Sequence, residues 1–186
     1  IKAEEMYQRL TINFALSAAS TGELATTADK YLDAVNKLCE QSDSYQLHYM
    51  KYQIRIMVAQ IKGQYLQTIK VCEEAEKYLN DNPNFNQKVK LANLALIKIS
   101  SYLQLRDYEN GRMNAEKCLD LVAEGSNNWF IFLEYYFLLA MHTENYINAA
   151  GIFIKVVNHP RFVYTSEERK EKWKIFESYI NYIFET

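Results

Sequence analysis

Apolar residues recur along this chain at helical spacing. From Leu91 to Leu105 they fall at Leu91, Leu94, Ala95, Ile97, Ile99, Tyr102 and Leu103. That set covers more than one face, which predicts a helix sandwiched between neighbours. In Val71–Leu79, the residues Cys72, Ala75, Tyr78 and Leu79 make a stripe, with Glu73, Glu74, Glu76 and Lys77 outside it. No stretch sustains the polar/apolar alternation of a half-buried strand. The pattern predicts an all-α chain.

Punctuation along the chain fits that reading. Gly22, Gly63 and Gly125 lie between helical patterns, where a residue tolerant of positive φ ends a helix. Asn82-Pro83 reads as an N-cap followed by proline at the first helical position. Thr165 with Glu168 reads as a capping box opening a final helix, and His159-Pro160 closes the helix before it.

A short pattern then repeats: a polar turn, a capping side chain, and Leu or Tyr. It reads Thr21-Gly22-Glu23-Leu24, Lys62-Gly63-Gln64-Tyr65, Leu105-Arg106-Asp107-Tyr108 and Thr143-Glu144-Asn145-Tyr146, with the final residues 41, 43 and 38 positions apart. Three residues on come Thr27, Thr68, Gly111 and Ala149. Seven on come Tyr31, Cys72, Ala115 and Phe153, and ten on come Ala34, Ala75, Cys118 and Val156. These offsets trace one helix face, and small residues at three and ten let two helices approach closely.

This pattern resembles the second helix of a tetratricopeptide repeat (TPR). The resemblance implies a right-handed α-α superhelix of four TPR-like hairpins, at about 1–41, 44–82, 84–124 and 126–160, and a final helix at 166–184, the whole chain forming one domain. Two departures stand out. The family's small residue nine before the anchor corresponds to Ala15, Ile56, Ile99 and Phe137, of which only the first is small. The spacing also exceeds the family's period of about 34 residues. Wider helix spacing or longer helices should follow. Another α-solenoid, such as the helical part of a proteasome-lid-type subunit, is the alternative.

Composition narrows the class. The chain has 186 residues, 49% hydrophobic and 24% charged, with only 5 Gly and 2 Pro. That fits a folded soluble protein with few tight turns. The net charge of −2 offers no basic excess for phosphates, so no nucleic acid is expected as a ligand of this segment. The run Arg169-Lys170-Glu171-Lys172 reads as the solvated face of a helix. Cys39, Cys72 and Cys118 read as buried thiols of a reducing, cytoplasmic compartment. No segment is apolar enough to span a membrane. The chain opens at Ile1 rather than methionine, so a piece of a longer protein is expected.

Candidate chemistry is sparse. The three histidines, His48, His142 and His159, fall in no metal-binding spacing, and no nucleophile-elbow, phosphate-loop or dinucleotide motif occurs. No cofactor, metal or catalytic residue is expected. An enzymatic reading would require paired carboxylates in a cleft, for example around Glu134. The aromatic cluster Trp129, Phe130, Phe132, Tyr135, Tyr136 and Phe137 reads as core, against the alternative of an exposed contact surface.

The resemblance implies that the first helix of each hairpin lines a concave groove. By position that groove shows Met50, Gln53, Met57 and Gln60, then Asn93, Leu96, Ser100 and Gln104, then Glu134, Leu138, Met141 and His142. Amides bond to peptide backbone and methionine adapts to varied side chains. A non-catalytic scaffold for a peptide or protein partner follows. The alternative is a regulatory helical-repeat segment of a larger signalling or transcription-regulating protein. In the final helix, Trp173, Phe176, Ile180 and Ile183 make one apolar face, and Ile175, Tyr179, Tyr182 and Phe184 a second. This predicts cover by more of the same chain, by another chain through self-association, or by insertion into the array.

Overall fold

The computed structural model describes residues 28–84 and 86–185. Among them every regular element is a helix, consistent with the all-α expectation. The expectations placed on Ala15, Gly22, Leu24 and Thr27 lie outside the described residues. The helices are α1 (Ala28–Glu40), α2 (Tyr45–Ile61), α3 (Tyr65–Asp81), α4 (Gln87–Leu105), α5 (Tyr108–Cys118), α6 (Asn127–His142), α7 (Tyr146–Val157) and α8 (Glu167–Glu185). The chain divides into two compact units, Ile1–Gln87 and Lys88–Thr186.

In the first unit α2 packs on both α1 and α3. Leu47, Met50, Ile54 and Val58 meet Val35 and Cys39 of α1 in one apolar cluster. Thr68, Ile69, Val71, Cys72, Ala75 and Leu79 are the buried positions of α3. Tyr78 closes the hairpin. Its ring lies 5.5 Å from Tyr45 and 5.5 Å from Tyr52, and its hydroxyl donates to the Tyr45 carbonyl at 3.4 Å.

In the second unit α6 is the central element. Trp129, Phe130, Phe132, Leu133, Tyr136, Phe137, Leu139 and Ala140 are all buried, so the aromatic cluster is core. Ala92, Ala95 and Ile99 of α4, Ala115 and Cys118 of α5, Ala149, Ile152 and Val156 of α7, and Trp173 and Phe176 of α8 complete the cluster. An apolar helix surrounded on most sides buries surface worth roughly 1.5–3 kcal/mol per large side chain, as an upper bound.

Three hairpin turns share one geometry. Gly63, Arg106 and Glu144 adopt φ of 66°, 58° and 56°. The next residue in each case, Gln64, Asp107 or Asn145, holds φ between −85° and −89° and ψ between 63° and 66°. Its N–H donates back five residues: Gln64 to Ala59, Asp107 to Tyr102, Asn145 to Ala140, at 2.8, 3.0 and 2.9 Å. This is a Schellman closure whose last residue immediately opens the next helix. Tyr65, Tyr108 and Tyr146 are therefore the first residues of α3, α5 and α7. At the three-residue offset Thr68, Gly111 and Ala149 are buried, and at ten Ala75, Cys118 and Val156 are buried. Ile56, Ile99 and Phe137, nine before each anchor, are buried as well.

Two helix starts and one charged run differ from the sequence expectation. Asn82 caps the end of α3, and Pro83 lies in the connection, because α4 opens only at Gln87 after Asn84 accepts from the Asn86 N–H. At α8, Thr165 turns back to donate to the Phe162 carbonyl at 2.7 Å. Ser166 then caps the helix by accepting from the Arg169 N–H at 3.3 Å. Arg169 does not lie on a solvated face but turns toward α6, and Lys172, 44% exposed, reaches Glu134 of α6 from the edge.

Candidate functional site

The groove positions fall into three environments. Met50 is 6% exposed and belongs to the α1–α2 core, so it is a packing residue and not a lining residue. By spacing Gln53, Met57 and Gln60 share Met50's face, but of the four only Met50 joins the cluster with Val35 and Cys39 of α1. Gln53 and Gln60 are exposed and Met57 is half-buried.

On α4, Asn93 and Gln104 are exposed and Leu96 and Ser100 half-buried. The Asn93 side-chain oxygen accepts from Asn128 on α6 at 3.2 Å, and the Ser100 hydroxyl donates to the Ile97 carbonyl of its own helix at 2.9 Å. On α6, Leu138 and Met141 pack partly against the core. His142 is exposed at its edge, but its ring stacks on Tyr108 at 4.1 Å with an interplanar angle of 8°. Among the described residues the Gln53, Gln60 and Gln104 amides thus have no partner, whereas Asn93 and His142 are already engaged.

Glu134 is the largest departure. It is buried, with a side chain 9% exposed, and its two oxygens accept from Arg169 Nε and Lys172 Nζ, each at 2.7 Å. Arg169 also donates from Nη1 to Asn127 at 3.0 Å, and its guanidinium carbon sits 5.6 Å from the Phe130 ring centre. Two cations on one carboxylate tie α8 across to α6. The paired-carboxylate arrangement is not what surrounds Glu134. A signal for this tie existed: Glu134 is the one acidic residue in an otherwise apolar helix. Arg169 and Lys172, three apart, share a face of α8.

The two faces of α8 have separate fates. Trp173 and Phe176 enter the core, with Phe176 stacked on Phe137 at 4.3 Å. Ile175, Tyr179, Tyr182 and Phe184 are each more than half exposed, which excludes insertion of the whole helix.

Thiol and phenol groups are shaped by burial. Burial pushes the Cys39 thiol up, against the smaller pull of Lys51. Tyr49 is pushed up to about 12, first by burial and then by Tyr45 and Cys72. Among the described residues no three His, Cys, Asp or Glu side chains gather into a metal site, and no helix is long and apolar enough to cross a membrane. Compared with family models, curated proteins and solved structures, the chain matches none.

Proposed function

We propose that this chain is a TPR-like helical-repeat scaffold that binds a peptide or protein segment and performs no chemistry of its own. The observation that carries the reading is the threefold turn. The same backbone geometry recurs at Gly63, Arg106 and Glu144, with buried residues at matching offsets behind each. Recurrent hairpins of this kind are how repeat proteins build extended binding faces. The right-handed stacking of the hairpins belongs to this proposal. Within it, Gln53, Met57 and Gln60 on α2 are the contacts of the first unit and Gln104 on α4 is that of the second: amides for peptide backbone and a thioether for side chains.

The test is selection of peptides from a displayed random library against the intact chain. A consensus is expected whose affinity falls at least about tenfold in a Gln53→Ala, Gln60→Ala, Gln104→Ala variant, the loss of one or two hydrogen bonds at a desolvated contact. Absence of any enriched peptide, or unchanged affinity in the variant, refutes the groove. Glu134 is unsuitable for this test, because removing it cuts the α6–α8 tie.

A further inference from the structure

An open cleft of about 510 Å³ lies where the α7–α8 connection passes the start of α6. Phe130, Arg161, Tyr164, Ser166, Arg169 and Asn127 line it. Its size suits one or two side chains. The floor is apolar and fixed: Phe130 is buried against Trp129 and His159. One wall is Tyr164, whose side chain is available to a ligand because the residue is 87% exposed.

The polar lining consists mainly of donors. Arg169 spends Nε on Glu134 and Nη1 on Asn127, which leaves Nη2 without an acceptor among the described residues. Arg161 makes one long bond, Nη1 to the Gly125 carbonyl at 3.5 Å, and its other guanidinium N–H groups have no acceptor among the described residues. Its backbone is held in place, since the Arg161 N–H donates to His159 Nδ1 at 3.1 Å. Two cations, Arg161 and Arg169, line the cleft, and no Asp or Glu is among its lining residues. Exposed Glu124, Glu167 and Glu168 are sequence neighbours of the lining residues Gly125, Ser166 and Arg169. A string of phosphates would meet those carboxylates, whereas a single carboxylate fits the excess. The Arg161 guanidinium and the remaining Arg169 Nη2, beside an aromatic floor, match charge-assisted recognition of a carboxylate next to an apolar group.

We propose that this cleft docks an Asp or Glu side chain of an acidic peptide segment, with an adjacent apolar or aromatic residue resting on Phe130 and Tyr164. The site goes beyond the groove reading, using none of its amides and sharing only the premise of a peptide ligand.

The test is a titration of the full ¹⁵N-labelled chain with acetyl-Phe-Glu-amide, acetyl-Phe-Gln-amide and inorganic phosphate in parallel. The Glu peptide should shift the Arg161 and Arg169 Nε–H resonances saturably, and the Gln peptide should bind at least about tenfold more weakly. Arg161→Gln, at an exposed position, should lower affinity for the Glu peptide about tenfold with tryptophan emission unchanged. Tyr164→Ala should weaken it through the apolar half alone, preserving the Glu-over-Gln preference. Equal binding of the two peptides, retained affinity in Arg161→Gln, or phosphate binding as tightly as the Glu peptide would each overturn the proposal. Failure here is separable from failure of the groove. The Gln53→Ala, Gln60→Ala, Gln104→Ala variant should titrate with the Glu peptide like the parent chain.

Discussion

Replacing Arg106 by glycine should stabilise this protein. Arg106 sits at φ 58° in a Schellman turn, is exposed, and has no side-chain hydrogen bond or ion pair among the described residues. A side chain in the left-handed region costs about 1–2 kcal/mol through the clash of Cβ with backbone. Glycine removes that clash but adds about 0.4–1 kcal/mol of unfolded-chain entropy. The net gain is about 0.5–1 kcal/mol, or roughly 2–4 °C in Tm for 1 kcal/mol in a chain of this size. Gly63→Ala is the mirror experiment. Its added Cβ meets nothing within 4 Å, so the expected loss of about 0.5–1 kcal/mol is purely conformational. Trp129 and Trp173, the chain's 2 tryptophans, both lie in the second unit. Tryptophan emission during denaturation therefore reads Arg106→Gly, and far-UV circular dichroism reads Gly63→Ala. Arg106→Ala is the control and should gain nothing. If Arg106→Ala stabilises as much as Arg106→Gly, or Arg106→Gly lowers Tm, the backbone argument is wrong.

Three further outcomes are expected. Gly111→Ala should cost about 1–3 kcal/mol by overpacking. Its Cβ would stand 2.7 Å from Leu139 Cδ2 and 2.9 Å from Tyr102 Cβ; an unchanged urea midpoint would contradict the close approach. Glu134→Gln should cost about 2–3 kcal/mol, less than the full penalty for breaking a buried pair, because Lys172 is 44% exposed. Limited proteolysis should then cut α8 faster, and equal cleavage of parent and variant would show that the tie does not hold the helix. Stability should also fall as pH rises from about 10 toward 12. Tyr49 prefers its neutral form in the fold, so its contribution is complete below the unfolded value and disappears through the folded one. Tyr49→Phe should flatten that decline in alkaline urea titrations.

The turns were legible in the sequence because they rest on local chemistry. Lys62-Gly63-Gln64-Tyr65 and its two described counterparts put a polar residue before an aromatic, and the backbone followed. The small residues at the three- and ten-residue offsets were legible because a helix face is a matter of spacing. The Asn82-Pro83 start failed for a local reason. Asn82 had a rival use, donating from its side chain to the Tyr78 carbonyl at 3.0 Å to finish α3. Glu134 failed for a long-range reason. Its partners lie 35 and 38 residues later, and no short pattern links them. The basic run looked solvated because its intervening members, Lys170 and Glu171, do face water-side partners within α8, Glu167 and Lys174. The Arg161–Arg169 cleft escaped notice because it joins a connection, a cap and the flank of a helix.

The near-complete burial of α6 also has a consequence in time. Its amide protons are shielded by α4, α5, α7 and α8, so no partial opening that spares the second unit can expose them. Their exchange with solvent deuterium should follow global unfolding of that unit, while the α8 amides, shed by breaking the Glu134 tie, exchange through a smaller opening. The slowest-exchanging segment of the second unit would then be its middle helix, and the C-terminal helix would come and go on its own clock.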